Sequence, residues 1–120
     1  QIGFAQEEAF KADCIKVIRM SGATAQMETA KKQIMMSIPE AKQAEFSKEF
    51  DATMPSLYNK IAAMYMAEYT HDEVKAMIKF YESPVGKKMS EKAGILFEKS
   101  MVAGQEWGME LQQMIGKYLN

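Results

Sequence analysis

The chain has 120 residues, 48% of them hydrophobic and 26% charged, with a formal net charge of -1. That length and apolar content suit one domain with a true core, and the charge balance excludes the basic excess of a nucleic-acid binder. A single cysteine rules out an internal disulfide or a thiolate metal cluster, and no apolar run reaches the roughly 18 residues of a membrane span.

Ala, Met, Lys, Glu and Gln are abundant and strand-like alternation is missing. The fold class expected is therefore all-α: a single-domain antiparallel bundle of five or six helices with a long C-terminal helix. Gln1–Ala5 reads as a flexible tail, either the remnant left by signal cleavage or a disordered start, and residues 6–120 as one helical domain. A first helix over Gln6–Ser21 carries Phe10, Cys14, Val17 and Ile18 as an apolar stripe, and Gly22 suits the position just past its end. A second, over Thr24–Ser37, shows Met27, Ala30, Ile34 and Ile38 on one face. A third runs over Pro39–Thr53, where Pro39 fits a helix start. Pro55 either opens a fourth helix to Glu68, carrying Leu57, Tyr58, Ile61, Ala62 and Tyr65, or kinks a continuous one.

Tyr69–Lys88 organises the rest, with the earlier helices as lead-in. Thr70-His71-Asp72-Glu73 reads as a capping box, with Tyr69 and Val74 in the staple positions around it. A short helix follows with Val74, Met77, Ile78 and Tyr81 as its stripe. Ser83 and Pro84 then start the last helix at once, as N-cap and first residue. That helix spans Pro84–Leu119 if unbroken; a break near Gly104–Gly108 is the alternative. Phe97, Met101, Gly104, Gly108, Leu111, Ile115 and Tyr118 follow at alternating spacings of four and three, which makes a heptad seam for contact with another helix. Five of the seven glycines lie on this helix, within an arc of about 120°, and imply close approach by another backbone.

Catalytic chemistry is not evident. His71, the sole histidine, has no second ligand nearby and reads as a solvated side chain; Cys14 reads as a small core hydrophobe. The twelve methionines have no spacing of three or four that would build a copper site, so they are core filler or an adaptable apolar groove. Lys87 and Lys88, at a helix start, are either a solvated face or an anion contact. No catalytic, cofactor-binding or metal residue is assigned, and no cofactor is expected.

An aromatic residue, Thr-x-x-Glu, and a short helix closing in Phe-Tyr-x-Ser-Pro-x-Gly-x-Lys resemble the bacterial family DUF2059. The matching residues are Thr70, Glu73, Phe80, Tyr81, Ser83, Pro84, Gly86 and Lys88, and the flanking helices extend the likeness over most of the chain. Val74-Lys75 departs from the Glu-Leu usual there. The resemblance implies a small helical bacterial protein exported to the periplasm or secreted, and it supplies no catalytic residues. The expectation is a non-enzymatic interaction module of the envelope, binding a protein partner or a second copy through the long helix. The alternative is a module holding a small apolar ligand, such as a lipid, between helices.

Overall fold

Helix α1, Phe4–Met20, repeats apolar side chains at Phe10, Cys14, Val17 and Ile18, and these four supply half of the buried core. In the computed structural model, which describes residues 3–119, α1 is followed by α2 (Ala23–Met35), α3 (Glu40–Glu68), α4 (His71–Glu82) and α5 (Pro84–Ile115). The described residues form these five helices and no strand, so the fold is an all-α bundle with a long final helix.

The lead-in role expected for α1 is overturned. It packs against α2, α3 and α4 and is the centre of the molecule. Tyr58 and Ala62 of α3 and Val74 and Ile78 of α4 close over its stripe. Fully burying one such aliphatic side chain stabilises by about 1.5–3 kcal/mol, so this small cluster dominates the stability of the fold. Helix α1 also begins earlier than expected: Phe4 and Ala5 are helical, leaving only Gly3 as described lead-in, while Gln1 and Ile2 of the expected tail lie outside the described residues.

Pro55 does not open a separate helix; of the two readings, the continuous helix is the one found. It lies inside the 29-residue α3, on the exposed side. The carbonyl of Asp51 loses its intrahelical donor there, but Tyr58 and Ala62 one and two turns on hold the helix to α1. Three contacts fasten this region. The Tyr58 hydroxyl lies 2.9 Å from Thr24 Oγ1, the Arg19 guanidinium sits 4.5 Å from the Tyr58 ring centre, and Lys31 donates to Asp51 at 2.9 Å.

Helix α2 buries no residue. Of its expected face only Met27 reaches the core; Ala30 and Ile34 are exposed and Ile38 is half-buried in the following turn. The reason is position: α2 is an outer helix, wedged between α1 and α3 on one side and the start of α5 on the other. Gly22 makes that wedge possible. Its φ of +100° turns the chain between α1 and α2, and a Cβ there would lie 2.8 Å from the Ala93 Cβ of α5.

Helix α5 packs on α4 and α2 near its start and then leaves the bundle. Ser90 donates to the Met20 carbonyl at 2.6 Å, and Gly94 passes close to Ala25. No side chain of α5 joins the core cluster. The Cα radius of gyration is 18.8 Å with extents of 58 × 43 × 33 Å, against about 14 Å for a compact domain of this length. No helix among the described residues is long and apolar enough to cross a membrane.

Candidate functional sites

Three surfaces stand out: the projecting half of α5, a pocket beside His71, and an aromatic cleft where α3 meets α4.

The family-motif residues are mostly architecture. Thr70 Oγ1 accepts from the Glu73 amide at 3.2 Å and Glu73 Oε1 accepts from the Thr70 amide at 2.8 Å, which completes the capping box. Ser83 Oγ accepts from the Gly86 amide at 3.2 Å, with Pro84 as first residue of α5. Gly86 is buried against the end of α4, where a Cβ would meet the Phe80 carbonyl oxygen at 2.0 Å and the Tyr81 Cα at 2.5 Å. The close neighbour is thus the backbone of the preceding helix, which lets α5 start with no linker. Tyr81 packs against the core, whereas Phe80 stays 43% exposed. Lys88 points to solvent.

The α5 seam is helical from Phe97 to Ile115; Tyr118 falls beyond the helix, in the terminal turn. The helix runs unbroken through Gly104 and Gly108, and a Cβ on either glycine would meet nothing within 4 Å. Phe97, Met101, Gly108 and Leu111 are half-buried, while Gly104 and Ile115 are exposed. Val102, Trp107, Met109 and Met114 are exposed beside them. A helix with so much exposed apolar surface is normally covered.

His71 is not the solvated side chain expected. Its Nε2 lies 2.7 Å from Asp13 Oδ2 and its ring stacks on Phe10 with centres 4.9 Å apart. His71 and Phe10, with Gln6, Ala9 and Lys75, line a pocket of about 410 Å³. Asp13 sits 58 residues away on α1, so no local spacing announces the pair. Cys14, next to Asp13, is fully buried. Burial and then the Asp13 charge push its thiol above the ordinary value of 9.0, which keeps it protonated and poorly nucleophilic.

The aromatic cleft holds about 490 Å³ and is lined by Tyr65, Tyr69, Phe80 and Tyr81 with Met77 and Glu73 among its other walls. Tyr65, in the last turn of α3, and Tyr69, the extended residue that caps it, have ring centres 5.6 Å apart; Phe80 and Tyr81 lie 5.4 Å apart, edge to face. The signals were in the sequence, as Tyr65-x-x-x-Tyr69 and Phe80-Tyr81, but nothing local placed one pair across from the other.

Residues 56–114 match the family described as an uncharacterized protein conserved in bacteria, DUF2059. Over this stretch the chain is similar to DUF2059. The match takes in just under half of the chain, so the likeness is narrower than the flanking helices suggested: α1, α2 and the first half of α3 lie outside it. The DUF2059 stretch starts one residue after Pro55 and holds the Thr70 capping box, the Ser83 cap, all four aromatic rings of the cleft and the α5 seam as far as Met114. The helix it packs on, α1, comes from outside. No curated protein and no solved structure matches the chain.

Proposed function

We propose that this protein is a non-enzymatic interaction module of the bacterial envelope, and that it pairs with a second copy through the projecting half of α5. The observation carrying this reading is the seam itself, an apolar stripe on an unbroken helix with two glycines that face open space. Glycine on a helix face lowers helix stability by about 1 kcal/mol relative to alanine, so its use there fits a site of close backbone approach rather than intrinsic helix design.

The spacing favours a copy of the same chain. Seam residues Phe97, Met101, Gly104, Gly108, Leu111 and Ile115 read four, three, four, three, four in both directions. A two-fold antiparallel pair requires such self-complementarity, since residue i meets j while j meets i. One register fits: Gly104 against the partner's Gly108, Met101 against the partner's Leu111, and Phe97 against the partner's Ile115. Small residues meet at the centre, bulky ones fill the ends, and Glu98, Lys99, Glu106 and Glu110 stay off the seam. The non-enzymatic part draws support from the protonated, buried Cys14 and from His71, which spends its contacts on Asp13 and Phe10.

Sedimentation velocity over a micromolar series is the test. A dimer forming with concentration supports the reading; a monomer throughout, at high micromolar concentration, overturns it. Register is read by oxidation: Gln105→Cys, beside the two-fold axis, links two copies, and Gln112→Cys does not. The envelope location rests on the resemblance to an exported family. Fractionation of cells expressing the natural gene tests it, with recovery in the periplasm or medium expected and recovery in the cytoplasm against it.

A further inference from the structure

The geometry points to a binding site for a small organic cation, an alkylated ammonium group, in the cleft between the end of α3 and the length of α4. The site is separate from the α5 seam and stands or falls without it.

The first argument is the wall. Four aromatic rings, from Tyr65, Tyr69, Phe80 and Tyr81, line one cleft of about 490 Å³, within the size range of small-molecule sites. They are not spent on each other as a closed stack: the pairs meet at 53° and 68°. Tyr69 and Phe80 remain 42% and 43% exposed, which leaves ring surface open to an occupant. Aromatic faces carry negative quadrupole potential and attract cations, quaternary ammonium most of all because it sheds water easily.

The second argument is charge. Among the described residues, Glu73 is the one charged residue lining the cleft. Its Oε1 is held by the Thr70 amide at 2.8 Å, which fixes the carboxylate in place and leaves the second oxygen available. Among the described residues no lysine or arginine lines the cleft to neutralise it. An anion would be repelled there. A neutral ligand without hydrogen-bond donors would cover the carboxylate without compensating it, at a desolvation penalty. A cation satisfies both the rings and the acid. The phenol of Tyr65, raised above its ordinary 10.0 by burial and then by Tyr81 and Tyr69, stays neutral at physiological pH and contributes its ring alone.

The experiment is titration calorimetry of the full chain with choline chloride at matched ionic strength, beside 3,3-dimethylbutan-1-ol, the uncharged carbon isostere. Saturable choline binding, with the isostere weaker by about fivefold or more, is expected. Glu73→Gln is the informative variant, because glutamine keeps the capping bond while removing the charge. It is expected to weaken choline severalfold with an unchanged melting temperature. Tyr69→Ala and Phe80→Ala, both at exposed rings, are expected to weaken it similarly, with helicity checked by circular dichroism. Equal affinity for the isostere, no saturable choline signal, or full affinity in Glu73→Gln would each overturn the proposal. Co-sedimentation with phosphatidylcholine vesicles separates sources among supporting outcomes: choline binding with vesicle binding indicates a lipid headgroup, and choline binding without it a free cation.

Discussion

Gly86 lies so close to Phe80 that a Cβ on it would fall 2.0 Å from the Phe80 carbonyl oxygen, whereas a Cβ on Gly104 of the same helix would touch nothing within 4 Å. The obstacle at Gly86 is backbone and cannot rotate away. Gly86→Ala is therefore expected to destabilise by about 2–3 kcal/mol, as overpacking does. Gly104→Ala is expected to stabilise the dilute monomer by about 0.5–1 kcal/mol through helix propensity, and to weaken pairing if the backbones approach there. Urea unfolding of the two variants at low concentration reads the opposite signs. Equal effects would contradict the different surroundings of the two glycines.

The His71–Asp13 pair joins the first turn of α4 to the middle of α1. Removing one partner leaves the other half-buried and unbonded, so His71→Ala and Asp13→Ala are each expected to lose about 1–2 kcal/mol. The double variant should lose less than the sum, because the two losses share one bond. A strictly additive cycle would mean that the stack on Phe10, and not the hydrogen bond, holds His71.

Cys14 gives a pH dependence with a definite sign. Its thiol is raised above 9.0 in the folded chain, by burial first and Asp13 second. Below pH 9 both folded and unfolded states hold the proton and stability is unaffected. Above it the unfolded chain releases the proton while the folded chain keeps it, so stability falls as pH rises. Tyr65, raised above 10.0, adds in the same direction at higher pH. The melting temperature should decline from about pH 9 upward, less steeply in Cys14→Ala measured against its own neutral-pH value. A flat profile to pH 10.5 would contradict it. Native protein should also react with Ellman's reagent only at the rate of unfolding.

Trp107 reports on α5 directly. It is the only tryptophan and is 62% exposed. In dilute solution its emission should be solvent-like and readily quenched by iodide. In the antiparallel register it lies near the two-fold axis, so emission should shift to the blue as concentration rises. An invariant spectrum across a concentration range that produces dimer would place the contact elsewhere.

What could be read beforehand was local. The caps at Thr70 and Ser83, the stripe Val74, Met77, Ile78 and Tyr81, and the turn at Gly22 each rest on hydrogen bonds or sterics within a few residues, and each appears as expected. Periodicity gave the apolar face of α1, but not its depth: a stripe at helical spacing looks the same on an outer helix as on a central one. Hence periodicity does not distinguish the central α1 from the outer α2. Pro55 was ambiguous because its own preference opposes a helix, while the side chains that overrule it, Tyr58 and Ala62, act through α1. The pairing of His71 is hidden from local sequence for the same reason, since its partner Asp13 is distant in the chain. Both pairs of rings in the aromatic cleft were visible, and only tertiary packing brought them together.

The central place of α1 also sets an order of events during synthesis. Half of the core comes from Phe10–Ile18 and the other half from Tyr58–Ile78, so α1 has nothing to bury its stripe against until some forty residues later. Closing a loop of that length precedes any reward from contact. A nascent chain thus stays without a completed core until Ile78 has emerged from the ribosome, and α5, which adds no side chain to that core, emerges only after it. Any factor that must hold the chain unfolded has that interval in which to act.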